Sequence, residues 1–359
     1  MMTRRAVLST AAAAALATPS PAEEAVALRT LAAARGLLFG AANNNYWLRD
    51  ADFAAAFVRD CAILVPEYEL KRDLTEPEQG RYDFTASDQL LAFARRHRLL
   101  FRGHPLVWYA SNPPWLEAAV AAAVDESIFR DYVGAAVSHY RGRMHSWDVV
   151  NEAIEPKDGR PDGLRDTFWL RRFGPAYLDH AFQAAHDADP DALLVYNEFG
   201  LEEEGPTYDA RRRAVLKLLE GLIARGVPVG ALGLQGHLSA FGHAIDQRKL
   251  ATFLGEVRGL GLRILVTEHD VDDSGGPVDA GARDAAVADM SRRFLDVALD
   301  NPSTAAVLTW GLSDRFLEYD GTRDRLLRGN PRSLPLDADM RPAPMYTAIA
   351  RALTGARTR

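Results

Sequence analysis

The chain of 359 residues is long for one compact domain and short for three, which leaves one large α/β barrel or two ordinary domains. At 48% hydrophobic and 25% charged it has ample apolar surface for a large core, which excludes a disordered or fibrous chain. A net charge of −7 without a basic run excludes nucleic acid as a partner, and a single cysteine, Cys61, excludes an intramolecular disulfide and a thiolate metal cluster.

The first 22 residues read as an export signal rather than as fold. Arg4-Arg5 precede a small and apolar run at 6–17 that is too short to span a bilayer, a pattern that resembles a twin-arginine signal. Ala15-Leu16-Ala17 or Ser20-Pro21-Ala22 supplies small residues for cleavage. The bland alternative is an alanine-rich helix at the start of a cytoplasmic protein. Loss of the segment takes away Arg4 and Arg5 and shifts the net charge from −7 to −9, which suits a neutral substrate better than an anionic polymer. The expectation is therefore an exported protein, periplasmic or secreted, monomeric and without a membrane span.

Residues 23–359 show no Pro/Ser/Gly-rich linker and no break in composition, so they read as one folded unit. Short β-prone runs alternate there with longer segments of helical spacing. Strands are predicted at 37–41, 62–66, 99–106, 145–150, 193–197, 231–235, 263–268 and 306–310. Helices are predicted at 52–60, 87–97, 127–140, 175–188, 207–225, 246–260, 283–299 and 344–353. Eight such pairs predict a single (β/α)8 TIM barrel of the α/β class. A doubly wound sheet is the other solution, but Phe39-Gly40-Ala41-Ala42-Asn43 lacks the glycine spacing of its phosphate turn.

In such a barrel the C-terminal strand ends build the active rim. The second strand ends in Glu67, Glu69 and Lys71, the third in His104 and Trp108, the fourth in Asn151 and Glu152, and the fifth in Tyr196, Asn197 and Glu198. The sixth ends in Gln235 and His237, the seventh in Glu268, His269 and Asp270, and the eighth in Trp310. Carboxylates, amides, histidines and tryptophans on one face suit a sugar, because amides and carboxylates pair with hydroxyls while indoles cover the apolar faces of pyranose rings.

Four of these segments carry a resemblance. Gly103-His104-Pro105-Leu106-Val107-Trp108, Trp147-Asp148-Val149-Val150-Asn151-Glu152, Gln235-Gly236-His237 and Thr267-Glu268-His269-Asp270-Val271 resemble the signature segments of glycoside hydrolase family 10, the endo-β-1,4-xylanases, over residues 36–353 and in the family's order. The resemblance implies hydrolysis of xylan or xylo-oligosaccharides, with Glu152 as general acid/base and Glu268 as nucleophile. It places Lys71, His104, Trp108, Asn151, Gln235 and Trp310 around the sugar on the non-reducing side of the cut, and Tyr196 near the leaving group. Glu67 joins the substrate-binding residues.

The chemistry agrees with the resemblance. Cleavage with retention needs one protonated and one ionised carboxyl, about 5 to 5.5 Å apart. His237 can hold Glu268 ionised, Asp270 can orient that histidine, and Asn151 can hold the sugar 2-hydroxyl. No cofactor or metal is expected. His104, Glu268, His269 and Asp270 could be taken for a metal site, but adjacent strand positions face opposite ways, so Glu268 and His269 cannot both enter the mouth without a bulge. A hydrolase of β-1,4-glucans or aryl glycosides, and a non-catalytic sugar-binding barrel, remain as alternatives. Two intact carboxylates favour an enzyme. Departures from the family pattern bear on substrate preference: Tyr68 stands for an amide, Tyr109 for a histidine, Ser111 for a glutamine, Glu318 for a tryptophan and His269 for an apolar residue.

Overall fold

The computed structural model describes residues 26–317 and 329–359. Its strands are β1 (Leu38–Asn43), β2 (Ile63–Pro66), β3 (Leu100–Gly103), β4 (Ser146–Asn151), β5 (Leu193–Glu198), β6 (Ala231–Leu234), β7 (His237–Ser239), β8 (Arg263–Asp272) and β9 (Thr304–Thr309). All pairings between them are parallel, and the ring runs β1 to β6, then β8 and β9, and closes from β9 back onto β1. The expected TIM barrel is thus present. The segment 1–22 and Glu318 lie outside the described residues.

Strand alternation divides the apolar residues into two layers. Ala42, Ile63, Val65, Val195, Ala231, Leu265, Ala306 and Leu308 fill the barrel interior. Phe39, Leu64, Phe101, Trp147, Tyr196, Leu232 and Val266 face outward against the helices. Those helices arise where apolar residues recur every three to four positions, as with buried Leu90, Leu91 and Ala94 of Thr85–Arg96. Asp50, Asp246 and Asp279 cap the starts of Ala51–Asp60, Gln247–Gly259 and Ala280–Asp300 by accepting from backbone N–H groups of the first turn.

Three features depart from the expected alternation. Helices Leu116–Ala122 and Phe168–Phe173 fold within long loops, and Leu28–Ala33 precedes the first strand. That last helix packs beside the C-terminal helix Pro344–Gly355 at Asp60, whose Oδ1 accepts from Leu28 N (3.1 Å) and Tyr346 Oη (2.8 Å). The short β7 continues β6 along the outer half of β8 after a kink at Gly236, φ 76°. The strands bearing the two carboxylates both carry bulges: β4 gains a residue against β5 between Asp148 and Val150, and β8 gains one against β9 between Val266 and His269. A bulge re-aims the side chains beyond it, so the rim of the barrel is bent where Glu152 and Glu268 emerge.

Candidate active site

Glu152 follows the bulged end of β4 with a left-handed backbone, φ 57°, a conformation that costs a non-glycine residue about 1 kcal/mol or more. Its N–H donates to Asn197 O (2.9 Å) and its carbonyl accepts from Arg165 Nε (2.9 Å). Its Oε1 accepts from Asn151 Nδ2 (3.1 Å) and from Gln235 Nε2 (2.9 Å). Two amides therefore hold one oxygen of an almost buried carboxyl, 8% exposed.

Glu268 emerges from the bulge in β8. Its Oε1 accepts from Asn197 Nδ2 (2.7 Å) and its Oε2 from His237 Nε2 (3.2 Å), while His104 Nδ1 lies 3.8 Å from Oε1. Burial pushes this carboxyl up, but the charge of His104, the hydrogen bond and charge of His237 and the Asn197 amide outweigh it and bring the group down to about 2. His237 Nδ1 faces Asp270 Oδ1 at 2.8 Å, so both ring nitrogens meet carboxylates and both must donate. Burial alone would lower this histidine, yet Asp270 first and Glu268 second hold it well above its ordinary value. His104 Nδ1 donates to Asp148 Oδ2 (2.9 Å), and the Arg102 guanidinium binds the other oxygen of Asp148.

The cleft that contains these groups has a volume of about 450 Å³, within the range of small-ligand sites. Lys71, His104, Trp108, Asn151, Gln235, His237 and Trp310 line it with both carboxylates. The Lys71 ammonium sits 5.0 Å from the Tyr68 ring, 5.6 Å from Trp108 and 5.9 Å from Trp310. Glu67 stands at the rim, where its Oε2 accepts from Asn44 Nδ2 (3.3 Å).

Tyr196 is a correction. It is 0% exposed, faces the helix layer and donates through Oη to Glu198 Oε2 at 2.5 Å, so it cannot touch a leaving group. Strand alternation decides this, since Val195 and Asn197 point inward and Tyr196 between them must point out. Phe199 lines the cleft instead. His269 faces outward too, with Nδ1 on Gly236 O and Nε2 on Ser291 Oγ, each at 2.9 Å, so the quartet His104, Glu268, His269 and Asp270 does not converge. Among the described residues, the trio with ligand atoms within 4.8 Å of one another is His104, Asp148 and Glu268, and there Arg102 already neutralises Asp148.

Asn197, which the sequence places only at the end of the fifth strand, joins the two halves of the site. Its Nδ2 donates both to Glu268 and to Asn151 Oδ1 (2.9 Å), and its Oδ1 accepts from Thr267 Oγ1 (2.7 Å). Room for it comes from Gly233, where a Cβ would lie 2.2 Å from Asn197 Oδ1. Its inward strand position was the available signal.

Residues 27–352 match the model of the family described as glycosyl hydrolase family 10. The chain belongs to that family. It is 34% identical over 329 residues to endo-1,4-beta-xylanase B of Thermotoga neapolitana, covering 90% of each chain. It is 30% identical to endo-1,4-beta-xylanase 5 of Pyricularia oryzae, over 92% of this chain and 79% of that one. The crystal structure of xylanase 10B from Thermotoga petrophila in complex with xylobiose superposes with a TM-score of 0.80 at 30% identity, over 93% of this chain and 98% of that one. Native xylanase 10B from Thermotoga maritima gives 0.79 at 32% identity, over 91% and 98%. As a family 10 glycoside hydrolase the molecule needs an ionised carboxylate, and the environment of Glu268 supplies it.

Proposed function

We propose that the protein hydrolyses β-1,4-xylosidic bonds in xylan or xylo-oligosaccharides with retention at the anomeric carbon. The observation that carries this reading is the contrast between the carboxyls. Glu268 is held ionised by His237, His104 and Asn197, and Glu152 is held by amides on the bulged rim opposite. In the first step a Glu268 oxygen bonds to the anomeric carbon while Glu152 gives its proton to the departing glycosidic oxygen. In the second step Glu152 takes a proton from water, whose oxygen displaces Glu268 and restores the starting configuration. Names of relatives with xylan as substrate support the choice of sugar.

Proton NMR of the first products decides the stereochemistry: the retained anomer is expected, and early inverted product overturns the reading. Glu268→Ala and Glu152→Ala should each lose several orders of magnitude in kcat, with azide restoring turnover in at least one. Retention of near-normal rates by either variant removes that residue from the mechanism. A panel of xylo- and cello-oligosaccharides tests the sugar.

The arginine pair before the run at 6–17 supports export, with the mature chain beginning between Thr18 and Glu23. N-terminal sequencing of protein from its native cells checks this, and an intact Met1 or Met2 in the cytoplasmic fraction refutes it. A monomer is proposed as well, and sedimentation measures it.

A further inference from the structure

The turn that follows Glu152 is gripped from behind by two side chains that take no part in the proposed reaction. Glu198 ends β5, and Arg211 comes from the helix Pro206–Ala224. They meet at Ile154, two residues beyond Glu152. The Ile154 N–H donates to Glu198 Oε2 (3.1 Å), and the Ile154 carbonyl accepts from the Arg211 guanidinium. The same guanidinium donates to both oxygens of Glu155 (3.2 and 3.1 Å) and to Glu198 Oε1 (3.4 Å). Glu198 also accepts from Tyr196 Oη (2.5 Å) and from Phe199 N (3.2 Å). Both side chains are out of water, Glu198 0% and Arg211 4% exposed. Phe199, a wall of the cleft, has its ring centre 4.2 Å from the guanidinium.

We propose that Glu198 and Arg211 are positioning residues that hold the turn 152–155 in shape and so fix where the Glu152 carboxyl stands. The inference rests on the reading of Glu152 as general acid. A left-handed backbone such as that of Glu152 persists only where its surroundings over-determine it. On the N-terminal side β5 does so, through Glu152 N on Asn197 O. On the C-terminal side β4 has ended. There Arg165 takes the carbonyls of Glu152 and Ala153, and the Glu198 and Arg211 pair takes both polar groups of Ile154. Apolar side chains in the same space would bury the turn without directing it, whereas a bonded polar pair fixes the direction of two peptide groups. Loss of either partner lets the backbone at Glu152 relax, which carries its carboxyl away from the amides of Asn151 and Gln235.

Help from an acid matters in proportion to how poor the leaving group is, so the test varies the leaving group on intact enzyme. The kcat/KM values of wild type, Glu198→Gln, Arg211→Lys and Glu152→Ala are measured on phenyl β-xylobioside and on dinitrophenyl β-xylobioside. Glu198→Gln keeps the shape but has one acceptor oxygen in place of two, and Arg211→Lys keeps the charge without the planar fork. For each a loss of roughly tenfold or more is expected on the phenyl substrate and less than about threefold on the dinitrophenyl one. Equal losses on both substrates, the signature of general loosening, overturn the proposal, as does no loss on either. Should circular dichroism show that Glu198→Gln fails to fold, Arg211→Lys decides alone. Glu152→Ala tests the reading beneath: it should show the same selectivity more strongly. Equal losses in Glu152→Ala show that Glu152 is not the general acid, and the positioning role falls with it, whereas a selective Glu152→Ala beside unselective partners overturns the positioning role alone.

Discussion

His269 sits beside the nucleophile in sequence and behind it in space. Gly236 O can only accept, so Nδ1 carries the proton, and Ser291 Oγ therefore donates to Nε2. A second proton has no acceptor, and burial lowers this histidine to about 4. The folded value lies below the unfolded value near 6.5, so the stability tied to the neutral ring is full above pH 6.5 and is lost as pH falls toward 4. In His269→Leu the Gly236 carbonyl loses its partner at every pH, but the acid-side loss disappears. Urea denaturation should then show a stability gap between wild type and His269→Leu of about 1 to 3 kcal/mol at pH 7.5 that narrows by pH 4.5. A gap independent of pH would show that the histidine does not titrate as its burial requires. The residue type alone gave His269 only a departure from an apolar pattern. The outward face of its strand position was legible, whereas its anchoring of the Gln235-Gly236-His237 turn depends on a helix 22 positions further on.

At the scale of elements, two departures prove to be one unit. Tyr68, in the loop after β2, donates its hydroxyl to Asp73, and Asp73 N donates to Ser111 O (3.1 Å) in the loop after β3. Ser111 takes a left-handed backbone there, φ 49°. The phenol thus lies against Lys71, tied to both loops, where the family pattern has an amide for a sugar hydroxyl. Each polar contact to sugar is worth about 1 kcal/mol, so loss of the two amides at Tyr68 and Ser111 removes roughly 2 kcal/mol of binding beyond the first sugar. Remote binding is what raises kcat/KM for longer substrates. The rise from xylotriose to xylohexaose should therefore stay below about tenfold, and Tyr68→Asn should steepen it. A steep climb with each added xylose in wild type would show that the Tyr68 ring serves as a stacking surface. Periodicity made the eight strand and helix pairs legible. It gave no hint of Leu116–Ala122 or Phe168–Phe173, whose few turns rest on contacts distant in sequence, such as Trp169 Nε1 on Trp108 O.

Across the whole molecule the buried titrating groups set a balance. Glu198 and Glu202 are pushed up to about 7, in each case chiefly by burial. Their folded values exceed the unfolded one of 4.5, so the stability they contribute is full below pH 4.5 and lost as pH rises through 7. His269 works in the opposite sense between pH 6.5 and 4, and Glu268, held at about 2, costs stability only below pH 4.5. His145, likewise lowered to about 4 chiefly by burial, sides with His269, and Asp314, raised well above its ordinary value chiefly by burial, sides with Glu198 and Glu202, so three carboxyls outweigh two histidines, at about 3 kcal/mol per group as an upper figure. The melting temperature should therefore peak near pH 5 and fall toward pH 8. A monotonic rise from pH 5 to 8 in scanning calorimetry would show that these carboxyls are relieved by solvent. Closure of the barrel followed from the count of strands. The electrostatic balance did not, because it depends on which carboxyls the fold takes out of water.

The β7–β8 ribbon acts as a ruler. His237 stands opposite Asp270 in its register, one residue past the kink at Gly236, so the support of the nucleophile is measured out by ladder spacing along two strands. Elsewhere on the rim the support of a carboxylate residue rests on single side chains, such as Arg165 on the Glu152 carbonyl, rather than on a ladder. An inserted or deleted residue between Gln235 and His237 would instead shift every later rung and turn the imidazole away from Glu268. Variation in substrate preference is thereby channelled into the loops after β2, β3 and β5, while the segment that keeps Glu268 charged admits changes of residue but not of length.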